Sequence, residues 1–204
     1  MKLLPKTLSR IIKYRQLLEK YRYTDQPHVF SHDLARLVNT SPARVRQDLM
    51  HIGFHGNHRK GYHVIELLDL IEQTLRTRKE ENIVVIGDGD LGKAVIRYFE
   101  YYETHIKIRA VFDVSAGKEK VLNVDYYNIT ELSRIIQQYD IQIAALALTD
   151  DAESISDLLI SGGIRGILNF TPVEITVPGH VFLKQVNLYS MIEEIAYYLH
   201  ADPG

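Results

Sequence analysis

Apolar residues in the first quarter of the chain recur at helical spacing. Leu8, Ile11, Ile12, Leu18 and Tyr21 fall on one face and predict a first helix over residues 5–22. Ser31 is placed to cap a short helix that turns Leu34, Leu37 and Val38 inward. Asn39-Thr40 makes the turn, and Ser41-Pro42 opens a further helix with Val45 and Leu49 inward and Gly53 at its end. Two short helices joined by a tight turn read as a helix-turn-helix. The glycine-bounded basic segment 53–62 then predicts a small β wing. Val64, Leu67, Leu68, Ile71 and Leu75 predict an amphipathic helix over 64–77.

From Asn82 the period changes. Ile83 to Ile86 is a continuous apolar run followed by a glycine turn, and 106–112, 141–148 and 166–170 are further candidate strands. They alternate with helices near 90–103, 129–138 and 151–162. Strand-helix alternation with unbroken apolar strands predicts an α/β fold, a parallel Rossmann-like sheet with helices on both faces. Met191, Ile192, Ile195, Ala196 and Leu199 give the last segment an apolar stripe. The predicted organisation is a winged helix-turn-helix domain with linker helix over 1–78, a Rossmann domain over 79–186 and a C-terminal dimerisation helix over 187–204.

Charge sharpens this division. Residues 1–63 hold 12 Lys and Arg against 4 Asp and Glu, whereas residues 64–204 hold 12 against 22. A basic unit joined to an acidic one suits a polyanion partner for the first. The chain has no cysteine, which excludes disulfides, zinc-thiolate sites and cysteine nucleophiles. No apolar run approaches the ~20 residues that span a bilayer, and no signal peptide is visible, so a cytoplasmic location is expected.

Gly87-Asp88-Gly89-Asp90-Leu91-Gly92 follows a predicted strand and opens a predicted helix, the context that a G-x-G-x-x-G nucleotide loop requires. Asp113 ends the next strand, where a carboxylate accepts hydrogen bonds from an adenosine ribose and disfavours a 2′-phosphate. NAD(H) is therefore the expected cofactor. The acids Asp88 and Asp90 add negative charge beside the phosphates, which leaves open a Rossmann scaffold without its ligand. In the second helix of the helix-turn-helix, Arg44, Gln47, Asp48 and His51 are expected to share one face, with Arg44 and Gln47 as base readers. Arg46, His58, Arg59 and Lys60 suit phosphate or minor-groove contacts. The histidines at 28, 32, 51, 55 and 58 lack an H-E-x-x-H or an acidic ligand set, so no metal site is expected. His105, His180 and His200 do not follow a predicted strand end, so no catalytic acid or base is expected either.

The run from Ser41 to Leu49, the Gly53–Tyr62 segment, Ile86 to Gly92, Phe112-Asp113 and Gly166-Ile167-Leu168-Asn169-Phe170-Thr171-Pro172 together resemble the redox-sensing transcriptional repressor Rex family, in order and over nearly the whole chain. The resemblance implies a homodimeric repressor with a swapped C-terminal helix, binding a two-fold symmetric double-stranded DNA operator and releasing it when NADH binds. It implies DNA contacts from Ser41, Arg44, Arg46 and Gln47. It implies cofactor contacts from Gly87, Gly89, Asp90, Leu91, Gly92, Asp113, Thr149 and Tyr98. It also implies a switch formed by Tyr98 with the positions of Gln16 and Asn187, which in the family are an arginine and an aspartate. The chain departs from the pattern at Asp88 and Asp90, at Asp150-Asp151 after Thr149, and in a shortened segment between Asp113 and Tyr127. Two rivals follow: a regulator of this architecture with weakened or altered nucleotide sensing, and a small NAD- or CoA-binding enzyme subunit.

Overall fold

The computed structural model describes residues 3–56, 60–75, 80–101, 105–114, 120–148 and 150–201. The chain divides into two compact units, Met1–Lys79 and Glu80–Gly204.

In the first unit α1 runs Pro5–Tyr21, started by a proline whose missing N–H costs a helix nothing in its first turn. Its buried residues are Ile11, Tyr14 and Leu18. Leu8 and Ile12, expected inward, are more than a third exposed, because Tyr14 completes the inward stripe in their place. Helix α2 spans Ser31–Leu37. Its N-cap is Phe30 and not Ser31: the Asp33 carboxylate accepts the Phe30 backbone N–H at 3.0 Å. Leu34 and Ala35 are buried there, while Leu37, expected inward, is exposed. Helix α3 spans Pro42–His51; the Ser41 hydroxyl accepts the Arg44 backbone N–H at 3.2 Å.

Two short strands, β1 (His28–Val29) and β2 (Tyr62–His63), pair antiparallel. Of the expected wing over 53–62, residues 57–59 lie outside the described residues. Among the described residues of 53–62 only Tyr62 is in a strand, and its partner lies before α2. Helix α4, Val64–Leu75, buries Val64, Leu67, Leu68 and Ile71 as its stripe requires.

A buried charge joins α1 to α3. Asp48 is 1% exposed, and its oxygens accept Arg10 Nε at 2.6 Å and Arg10 Nη2 at 2.7 Å. The Tyr14 hydroxyl donates to the same carboxylate at 3.0 Å. Asp48 therefore does not belong to the exposed face of α3, as expected from the sequence. A buried carboxylate needs a bidentate cation, and Arg10 supplies it. Burial first, and then the Asp48 charge, hold the Tyr14 phenol well above its ordinary pKa.

In the second unit β3 (Glu81–Ile86), β4 (Ile106–Asp113), β6 (Val124–Asn128), β7 (Ile143–Leu146), β8 (Gly166–Asn169) and β9 (Phe182–Gln185) run parallel, and β5 (Lys120–Val121) joins β6 antiparallel. The order is β5-β6-β4-β3-β7-β8-β9. Without β5 this is the dinucleotide-binding order, reversing direction beside β3. Strands β5, β6 and β9 were not anticipated. Helices α5 (Asp90–Glu100), α6 (Leu132–Gln138) and α7 (Ala152–Ser161) connect the strands. Alternate strand residues face opposite layers: Val84, Ile86, Phe112 and Leu146 pack with α6 and α7, and Val85, Val111 and Ala145 pack with Val95 and Ile96 of α5. Burial on both faces is why these strands read as continuous apolar runs.

The Gly166–Pro172 run gains a physical reason. Asn169 is fully buried and donates to the Val173 carbonyl at 2.8 Å and to Gln185 Oε1 at 2.7 Å, while accepting the Thr171 N–H at 3.0 Å. Gln185 donates to the Thr171 carbonyl at 2.8 Å. One amide thus ties β8 to its following turn and to β9. Helix α8, Leu188–Ala201, closes the described chain with no buried residue.

Removing Arg10 strands the Asp48 carboxylate. Arg10→Ala is expected to destabilise the first unit by about 3 kcal/mol, the lower end for a broken buried pair since Arg10 is partly exposed. Because the Tyr14 pKa is raised on folding, its contribution is complete below the unfolded value of about 10 and is lost as pH rises above it. Thermal melts between neutral and alkaline pH should therefore show a smaller alkaline loss in Tyr14→Phe than in the native chain.

Candidate nucleotide cleft and DNA-facing helix

The loop after β3 is shaped by two close approaches. Gly87 has φ +107°, and a Cβ there would stand 2.6 Å from the Ala147 carbonyl oxygen. A Cβ on Gly92 would lie 1.9 Å from the Gly87 carbonyl oxygen, so only glycine lets α5 start this close to the loop. A Cβ on Gly89 meets nothing within 4 Å. The loop's outer surface is open beside the first turn of α5, whose N–H groups have no partner within the helix.

This loop forms one side of a cleft of about 340 Å³ at the carboxyl ends of β3, β4 and β7. Gly87, Asp88 and Gly89 line it from the loop, Asp113 from the end of β4 with Val114 just after it, and Leu148, Asp150 and Asp151 from beyond β7. Ile129 and Ile155 add apolar walls. The place is the topological switch point, where open α/β sheets bind ligands. The Asp113 carboxylate accepts the Asp88 backbone N–H at 3.0 Å, which fixes it at the rim where a ribose diol would sit. Four aspartates line the cleft and, among the described residues, no Lys, Arg or His does.

Of the sequence candidates, Gly87, Gly89 and Asp113 are brought together, and Gly92 shapes the loop from beneath. Asp90 is the first residue of α5, outside the lining. Leu91 and Tyr98 are exposed on α5 and do not line the cleft either. Thr149 lies outside the described residues. The walls Ile129 and Ile155 were missed; Ile129 directly follows β6, whereas Ile155 lies on α7 and gives no such signal. The residues fit a dinucleotide in shape and ribose recognition, and oppose it in charge.

On α3, Arg44, Gln47 and His51 are exposed together, with the His51 ring Nδ1 2.6 Å from the Gln47 carbonyl oxygen. Exposed Ala43 and Met50 flank them, apolar groups suited to a thymine methyl and unnoticed in the sequence. Arg46 is half-buried and donates to the Ser31 hydroxyl at 3.3 Å, and Ser41 is occupied in capping. Lys60 is exposed; His58 and Arg59 lie outside the described residues. Gln16 is exposed on α1, and Asn187 accepts the Ser190 N–H at 3.0 Å as the cap of α8.

A helix-turn-helix unit and a dinucleotide-type sheet in one chain define a ligand-responsive DNA-binding regulator as the class. The chain belongs to the redox-sensing transcriptional repressor Rex family. It is 32% identical over 196 residues to the Rex repressor of Clostridium botulinum (strain Eklund 17B / Type B), covering 95% of this chain and 93% of that protein. It is similar to the crystal structure of RSP in complex with β-NAD⁺ and operator DNA, with a TM-score of 0.88, 26% identity and coverage of 98% and 94%. The complex of RSP with β-NADH matches with a TM-score of 0.83, 26% identity and coverage of 98% and 96%. Residues 78–173 match the family described as CoA binding domain, and residues 5–49 match the putative DNA-binding protein N-terminus.

The two glycines on either side of the loop should respond oppositely. Gly92→Ala is expected to cost roughly 3 kcal/mol of stability, since backbone must move to admit the methyl group. Gly89→Ala should stay within about 0.5 kcal/mol of the native chain. Denaturant titration of both variants checks the contrast.

Proposed function

We propose that this protein is a DNA-binding transcriptional repressor that senses NAD(H), with α3 reading the operator and the cleft beside β3 holding the dinucleotide. The observation that carries the reading is the pairing, in one chain, of an exposed Arg44–Gln47 face with a switch-point cleft whose Asp113 stands at the ribose position. Arg44 and Gln47 are the base readers; Arg46, Lys60, His58 and Arg59 serve the phosphates or the minor groove, and Ser41 fixes the start of the reading helix. Gly87, Gly89 and the α5 N-terminus take the pyrophosphate. Bound there, the dinucleotide supplies no chemistry, only a ligand whose two redox forms differ in charge and shape. No described helix is long and apolar enough to cross a membrane. A cytoplasmic location accompanies the repressor reading.

The protein acts as a homodimer in this reading. Leu188, Met191, Ile192, Ile195 and Leu199 of α8 are 56–73% exposed, more apolar surface than one helix leaves in water without a partner. Two half-sites of a symmetric operator require two subunits. The domain bounds 1–78, 79–186 and 187–204 and the switch role of Gln16, Tyr98 and Asn187 belong to the same reading. A second reading, weakened nucleotide sensing, is favoured by the four aspartates of the cleft.

Arg44→Ala should cost ~1–3 kcal/mol on the specific operator and relax base preference, while Lys60→Ala should weaken all sequences alike and lower the salt slope. Equal losses on operator and random DNA for Arg44→Ala, measured by fluorescence anisotropy, would count against the reading helix. Deleting residues 187–204 should give monomers in sedimentation with little operator affinity; a truncated chain that stays dimeric would sink the role given to α8.

A further inference from the structure

We infer that Ser31 and Tyr62 are positioning residues: through a chain of hydroxyls they hold the Arg46 guanidinium for contact with a DNA phosphate. This rests on the proposed reading of α3 as the DNA-facing helix. It commits Arg46 to the phosphate backbone in place of the minor groove, and it gives a task to two residues outside the reading face.

The first unit treats two partly buried arginines oppositely. Arg10 meets the Asp48 carboxylate through two N–H groups and is neutralised within the chain. Arg46 forms no ion pair among the described residues. Its Nη1 donates instead to a neutral group, the Ser31 hydroxyl, at 3.3 Å. A cation partly withdrawn from water and given a neutral partner lacks the charge that would offset its desolvation. A guanidinium carries five N–H donors in one plane, so a single hydroxyl leaves most of them open to an anion from outside. Phosphate oxygens match that fork.

The surroundings of Arg46 supply a second observation. It borders a hollow of about 190 Å³ with Met50, Phe54, His55, Gly56 and Tyr62, and no acid is among the residues lining it. The Ser31 hydroxyl that accepts from Arg46 also hydrogen-bonds the Tyr62 phenol. Burial raises the Tyr62 pKa above its ordinary value, and the Ser31 bond and the Arg46 charge pull against that rise. Tyr62 is 3% exposed, and its ring stands edge-on to Phe54 with 5.6 Å between centroids. Its backbone is paired with Val29 in the β1–β2 ladder. The phenol is therefore a fixed anchor, and Ser31 passes that fixity on to Arg46.

An arginine free on a surface loses many rotamers when it meets a phosphate. One held in advance meets it at lower entropic cost, so the hydroxyl chain adds affinity without touching a base. Buried as it is, Tyr62 can act on DNA only through Ser31 and Arg46.

The test is anisotropy titration of the full chain, across a salt series, against two duplexes: one selected by the native chain from a random pool and one unselected. Arg46→Ala should lower the salt slope by about 1 per subunit. Tyr62→Phe and Ser31→Ala should each weaken both duplexes alike by about threefold to tenfold, the worth of one hydrogen bond, and lower the slope in the same direction. Base preference, measured by repeating the selection, should stay native in both, whereas a general loosening of α3 would disturb it. Ser31→Thr, which keeps the hydroxyl, should restore the native slope. In an Arg46→Ala background Tyr62→Phe should cost little more, since its route to DNA is gone. A native slope in both single variants, effects of Tyr62→Phe and Arg46→Ala that multiply in full, or an altered base preference overturns the inference and leaves the DNA reading standing. Failure of the native chain to enrich or bind any duplex overturns that reading and the inference with it. Ser31→Ala removes one half-buried hydroxyl from the first turn of α2, so it decides the matter even if Tyr62→Phe does not fold.

Discussion

The pressure of Gly92 against the Gly87 carbonyl is the contact on which the second unit's function depends. It brings the first turn of α5 down onto the end of β3, and the cleft exists because that turn is held there. A single added methyl group would push helix and strand apart and fill the gap from below. The positive φ of Gly87 serves the same end from the other side, letting the chain leave β3 beneath the Ala147 carbonyl. Gly89 contributes differently: it is the glycine whose missing side chain leaves room for something else.

The first unit is organised by a contact of another kind. Tyr14, Arg10 and Asp48 form a polar cluster between α1 and α3, each member satisfied by the next. Apolar packing of Val45 and Leu49 holds α3 to the core, but apolar contacts are tolerant of rotation. A bidentate arginine is not, since its two N–H groups meet two oxygens in a fixed plane. The angle at which Arg44 and Gln47 leave the surface is therefore set by the ion pair more than by the core.

Much of this was legible in the sequence, for definite reasons. Long helices with an apolar stripe, strands buried on both faces and the spaced glycines are dictated by local geometry, so α4, β3, β4 and the loop after β3 fell where their patterns put them. Asp48 was not legible, because its angle on α3 lies between the exposed and buried faces and only a distant Arg10 draws it inward. Strands β1 and β2 are two residues each, too short to show a period. β9 alternates exposed and half-buried positions at the sheet edge, and is placed by Asn169 and Gln185 instead of by its own apolar content. The glycine loop pointed to the cleft, but its walls at Ile129 and Ile155 come from segments far apart in sequence.

The inward turn of Asp48 also alters how α3 meets a polyanion at a distance. An acid left on the reading face would place a repulsive spot in the field that draws DNA toward the protein. Paired beneath the surface, it leaves α3 itself with no exposed acid, which suits electrostatically steered encounter with a polyanion. Arg10 is withdrawn in the same transaction. Paired with Asp48, Arg10 is a cation that the proposed DNA reading need not count among the phosphate contacts.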